Sequence, residues 1–252
     1  MCSDEKLPTT YLCGKNCPAN PGAWQLHGAF HKTLRKDRKM REDGGARQQR
    51  DREAAERQAR HAAQSGNAYD ELLAEGLRHG SNNDMRREAK AYREAIALRP
   101  DRPEAYYNLG AALLNSGHYV EGAQRYLEAR ERYPVGSERW AEATASAFDM
   151  LRLKVCDEAA RPEWWNDEGL KAVSARVLRA APNAGIANQM RAVVLHGNAF
   201  GAWEVGPRSA AEFKEAATHY ERIAALCDAP AAKAEFARRA NACRCLAEAM
   251  SM

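Results

Sequence analysis

Four residue pairs in this chain recur at one fixed separation, and that recurrence constrains its fold more than any other feature. Gly76 pairs with Gly110, Tyr92 with Tyr126, Ala95 with Ala129 and Pro100 with Pro134, each 34 residues apart. Self-similarity at such a period marks a repeat architecture, in which each unit is one supersecondary element that buries its apolar face only by stacking on its neighbours. The residue types fit a helix–turn–helix unit. A small residue at Gly110 lets one helix approach the next, Ala129 does the same from the other side, and Leu109 and Tyr126 fill the space between. Gly117 makes the turn, and Pro134 ends the second helix.

Tyr106, Leu109, Gly110, Leu113, Gly117, Tyr119, Tyr126, Ala129 and Pro134 stand at the spacing of the tetratricopeptide (TPR) motif, and this part of the chain resembles that family. The preceding unit matches at Gly76, Tyr92, Ala95 and Pro100, but places Glu88 where the family prefers Ala. The resemblance implies an all-α, TPR-like right-handed superhelix of stacked antiparallel helix pairs. Units are expected at about 69–102, 103–136, 137–184 and 185–228, with a capping helix at 230–250, together making a repeat domain over 68–250. The third unit is drawn out. Ser137–Leu153 and Asp167–Ala181 read as its helices, with Pro162, Trp164 and Trp165 between them, and Pro134 to Pro182 spans 48 residues rather than 34. A fourth pair, Gly185–His196 and Arg208–Cys227, is joined by a loop holding Gly201, Trp203 and Gly206. The last helix carries Phe236 and Leu246 on an Ala-rich face, leaving Arg238, Arg239 and Arg244 for solvent.

Composition agrees with helices: Ala, Arg and Glu dominate while Val, Ile and Thr are sparse. No apolar run approaches the roughly 18 residues of a membrane span, and the polar start lacks a secretory signal, so an intracellular protein without membrane contact is expected. Seven cysteines is an odd number without framework spacing. Cys156, Cys227, Cys243 and Cys245 sit in helical patterns and read as small buried hydrophobes.

In TPR arrays the first helix of each unit lines the inner curve, where peptides lie. Carried over by position, the resemblance implies a partner surface of Asp70, Leu73, Leu77, Tyr107, Asn108, Leu114, Asn115 and Phe148, fringed by Glu104, Glu138 and Glu142 with Ala111 and Ala141 between. The chaperone-binding subset clamps a C-terminal carboxylate with Lys, Arg and Asn; the matching positions here hold Leu73, Leu77, Asn108, Glu138 and Glu142, and only Asn108 fits. Carboxylates where cations are required repel an acidic peptide terminus. Chaperone C-terminal tails are therefore not the expected partner.

Ahead of the repeats lie two further segments. Residues 1–31 contain Cys13, Cys17, His27 and His31 in a C-x3-C-x9-H-x3-H spacing, with Trp24 before the first histidine. Thiolates and imidazoles are zinc ligands, and four would close a structural site for one zinc ion. The stretch YLCGKNCPANPGAWQLHGAFHK resembles the second half of a MYND-type zinc finger, whose four upstream cysteines are missing here. One zinc held by these four residues and free thiols in a loose terminal segment both remain open. Residues 32–67 form a charged helical arm or linker. From Lys32 to Arg60 there are 11 Lys or Arg against 6 Asp or Glu, although the chain nets only +4. The cluster Lys32–Arg41 is a candidate nucleic-acid contact, the alternative being a solvated linker.

The function expected is thus a scaffold or adaptor that binds a protein or peptide, with nucleic-acid association as the alternative. An enzyme is not expected, since the chain holds no P-loop, dinucleotide turn or G-x-S-x-G elbow. His118, His196 and His219 fall in different units without an acid or nucleophile partner.

Overall fold

The structure, a computed structural model, describes residues 68–197 and 201–251. The Cys/His segment and the basic arm lie outside the described residues. Within them the chain forms nine α-helices, one 3₁₀ turn and no strand. The helices are α1 Ala68–Ser81, α2 Met85–Leu98, α3 Pro103–Ser116, α4 Tyr119–Arg132, α5 Glu138–Leu151, α6 Asp167–Ala180, α7 Gly185–His196, α8 Ala210–Leu226 and α9 Pro230–Ala249, with the 3₁₀ turn at Lys154–Cys156.

Consecutive helices pack on one another along the whole series. Short connections between packed neighbours make the pairs α1–α2 and α3–α4 antiparallel hairpins. The pairs α5–α6 and α7–α8 follow with longer connections, and α9 closes the stack against α8. The all-α, TPR-like stack expected from the sequence is what the described residues adopt.

Local chemistry sets the helix ends. Asp84, Ser137 and Asn166 each accept a hydrogen bond from a backbone N–H in the first turn of α2, α5 and α6. Ser209 and Glu212 form a reciprocal capping box at α8, while Pro103 and Pro230 open α3 and α9. Gly117 ends α3 at φ 86°, a left-handed conformation that L side chains resist. Tyr133 is extended ahead of Pro134, so α4 stops where proline demands it.

The repeated glycine–tyrosine pairs are direct contacts. A Cβ at Gly76 would sit 2.4 Å from Cε1 of Tyr92, and one at Gly110 would sit 3.1 Å from the Tyr126 ring. Each buried tyrosine ring therefore lies flat against a bare stretch of the partner helix. The first core runs from Tyr69, Leu73 and Tyr92 to Leu109 and Leu113, and a larger one gathers Trp140, Phe148, Leu170, Val177, Met190, Val194 and Trp203.

Glu88 would be expected to loosen the first pair, yet it is only 8% exposed. The pair closes because Gly80 makes room: a Cβ there would meet Glu88 Oε1 at 2.7 Å. In α9, Phe236 is buried and Leu246 half-buried; Arg238 and Arg244 are exposed, whereas Arg239 is half-buried and bonds Glu235. Cys156 and Cys243 are buried, and Cys227 and Cys245 are half-buried.

Candidate protein-binding face

Helices α1 and α3 carry most of the side chains expected to meet a partner. Leu77 is 38% exposed, Asn115 is exposed, and Asp70, Tyr107, Asn108 and Leu114 are half-buried. These residues share the first helices of two consecutive units. Two expected contacts are placed differently. Leu73 is 4% exposed because it packs with Tyr69 and Tyr92, and Phe148 is 1% exposed in the large core. Both are packing residues in this structure rather than parts of an open surface. Ala141 is likewise fully buried, and Ala111 half-buried.

Phe148 is covered by the two long connections, whose bulk was legible in the sequence but whose meeting was not. Trp165 stands 5.6 Å and Trp203 5.9 Å from the Phe148 ring, centre to centre, and the two indoles meet edge-on at 6.1 Å. Trp165 Nε1 donates to the Ala202 carbonyl at 2.8 Å, and Trp203 Nε1 to Asp167 Oδ1 at 3.3 Å. Arg208 grips Asp167 with both terminal nitrogens and also donates to the Val194 carbonyl. Its side chain is 4% exposed, and that of Asp167 15%. The Arg208 hydrogen bonds hold the Asp167 carboxyl below the usual carboxylate range against the effect of burial. Connection 152–166 is thus bonded to the described part of the loop before α8.

The acidic fringe is largely spoken for. Glu104 accepts from Arg102 Nε at 3.1 Å and from the Tyr69 hydroxyl at 3.2 Å. Burial works to raise its carboxyl, but the hydrogen bonds and charge of Arg102, with hydrogen bonds from its own backbone N–H and the Tyr69 hydroxyl, together keep it low. Glu142 accepts from Arg139 at 2.9 Å, and Glu138 is exposed. Tyr107 turns its edge to Tyr126 at 5.2 Å; burial, and then the nearby Glu142, push its hydroxyl pKa up. Leu114 packs beside Met150 and Leu151. The face is therefore apolar and amide-bearing, with carboxylates mostly neutralised in place.

A second concavity, of about 560 Å³, opens where α4 meets the first long connection. Leu127, Leu151 and Ala159 line it together with Val120 and Val155, which are 46% and 60% exposed. The apolar residues after Leu151 were its only sequence signal, and they carry no periodicity.

The histidines pack. His196 lies within 3.3 Å of the Tyr220 hydroxyl, and His219 Nδ1 is 2.9 Å from Asn188 Oδ1. Burial, with Arg239 adding to it, lowers His196 to about 4; burial also lowers His219, with Glu215 opposing. His118 is exposed ahead of α4. Among the described residues no group of three His, Cys, Asp or Glu side chains is placed to hold a metal ion. The candidate zinc ligands Cys13, Cys17, His27 and His31, and the basic cluster Lys32–Arg41, lie outside the described residues. No helix of the described residues is long and apolar enough to cross a membrane.

Comparison with known proteins fits this geometry. No curated protein matches the chain. Residues 89–117, from within α2 to the turn after α3, match the family model for the TPR repeat. The chain therefore carries a TPR repeat within an all-α stack of helix pairs, an architecture whose general role is to bind other proteins.

Proposed function

We propose that this protein is an interaction scaffold whose partner, a peptide or helix, lies across the first helices of the first two described units. The observation that carries this reading is the partly open face on α1 and α3: exposed Leu77 and Asn115, with half-buried Asn108 and Leu114 between them. Apolar side chains give such a face its affinity, and side-chain amides such as those of Asn108 and Asn115 can bond the backbone of an extended ligand. Phe148 lies under the interlocked connections, so the contact is centred on α1 and α3 rather than running on to α5.

Affinity capture with the full chain and a Leu77→Glu/Asn108→Ala double variant tests this. Proteins recovered by the wild type at about 200 mM salt and lost by the double variant support the scaffold. Recovery of nucleic acid that survives the double substitution, but fails when Lys32, Arg35, Lys36, Arg38, Lys39 and Arg41 are neutralised, would move the function to the basic arm. The positions of a chaperone clamp hold Leu73, Leu77, Glu138 and Glu142, so calorimetry with a Glu-Glu-Val-Asp peptide is expected to show no micromolar binding. Native mass spectrometry with and without chelator decides whether Cys13, Cys17, His27 and His31 hold one zinc.

A further inference from the structure

Two arginines on different helices share one indole. Arg130 Cζ, from α4, lies 5.6 Å from the Trp140 ring centre and 5.4 Å from that of Trp164. Arg176 Cζ, from α6, lies 5.3 Å from the same Trp140 ring. Trp140, 2% exposed at the start of α5, thus contacts both arginines, and Trp164 from the first long connection contacts Arg130 as well.

Most arginines of the described chain have a carboxylate. Arg93 is paired with Glu121, Arg139 with Glu142, Arg191 with Glu215 and Arg208 with Asp167. Among the described residues Arg130 and Arg176 make no ion pair or hydrogen bond, although Arg130 is half-buried. Arg130 Nε and Trp164 Nε1 are buried N–H groups without an acceptor. Glu131, next to Arg130 in α4, is exposed and bonds neither arginine, although its charge acts on Arg130. Burial pushes the Arg130 pKa down; the charge of Glu131 opposes this, and that of Arg176 adds to it to a smaller extent.

This is an unusual state for a guanidinium. Two like charges beside one ring repel, and a buried N–H without an acceptor is unfavourable. The ring contacts hold the cations in position, and the planar N–H edge of a guanidinium matches two oxygens of a carboxylate or phosphate. We propose that Arg130, Arg176 and the Trp164 indole N–H form an oxyanion-binding cleft, taking a carboxylate or phosphate group. The cleft belongs to α4, α5, α6 and the first connection, and is separate from the α1–α3 face.

Intrinsic tryptophan fluorescence reads the cleft directly, since Trp140 and Trp164 are its walls. The full chain is titrated with inorganic phosphate and, separately, with a glutamate-rich peptide, at constant ionic strength set with chloride. Saturable quenching is expected with at least one probe, weakened about tenfold in Arg130→Gln and in Arg176→Gln. Trp164→Phe, which keeps a ring wall and removes the N–H, is expected to weaken binding by a smaller factor. Binding of phosphate alone assigns a phosphoryl ligand, and binding of the peptide alone assigns a carboxylate. Absence of saturable binding to either probe, or wild-type affinity in both arginine variants, overturns the proposal. Arg176 is exposed, so its variant decides the matter if Arg130→Gln does not fold.

Discussion

Glu88 sets a carboxylate on α2 against the bare backbone at Gly80, with its Oε2 buried and unpartnered. Burial raises its pKa to about 7, above the ordinary 4.5. The native state therefore favours the protonated acid, so its contribution is fully present below about pH 4.5 and is lost as pH rises through about 7. Glu88→Gln is expected to stabilise the protein by about 1–2 kcal/mol at pH 8 and to gain little at pH 4.5, as read by urea unfolding at the two values. His196 works in the other direction. Its pKa falls from 6.5 to about 4, so the stability it confers is present above pH 6.5 and is lost as pH falls toward 4. His196→Gln should flatten acid unfolding over that window, where the wild type loses up to about 3 kcal/mol. Gly76 makes the tightest of the two ring contacts, so Gly76→Ala is expected to cost about 2 kcal/mol, more than Gly110→Ala, by thermal unfolding.

At the scale of elements, the periodic parts of the chain were legible and the irregular parts were not. Gly185–His196 is read from sequence with the ends it has in the structure, because Gly185 and Gly197 bracket an apolar pattern. The pairing of Gly76 with Tyr92 follows from the repeat, since a helix hairpin brings those positions together whatever surrounds them. Burial of Phe148 does not follow. It depends on Trp165 and Trp203 converging from positions 38 residues apart, and no local rule links such positions. The Arg130 and Arg176 cleft escaped for the same reason: two surface-type residues on different helices acquire meaning only beside Trp140 and Trp164. The buried Asp167–Arg208 pair holds those connections together. Asp167→Asn leaves Arg208 a buried charge without its counter-ion, and is expected to destabilise by about 3 kcal/mol. Hydrogen exchange should then accelerate in peptides covering 160–166 and 201–208 before the helices respond.

On the scale of the whole molecule, stability in a stack of this kind is carried by contacts between neighbours. Helix α9 covers α8 through Phe236, Ala240 and Cys243, which pack with Tyr220 and Ile223. Removing 229–252 uncovers that apolar side, so a chain ending at Asp228 is expected to lose the fourth unit first. Circular dichroism of the shortened chain should show two unfolding transitions where the intact stack shows one. The interlocked connections add a mechanical consequence. Arrays of paired helices behave as springs whose compliance lies in the sliding of one unit over the next. Arg208, from the loop before α8, bonds both Asp167 of α6 and the Val194 carbonyl of α7, and connection 152–166 is bonded to that loop through Trp165 and Ala202, so the third and fourth units are bolted across their joint. Extension under load falls on the joints between the earlier units, and a ligand lying across α1 and α3 spans the part of the spring that gives.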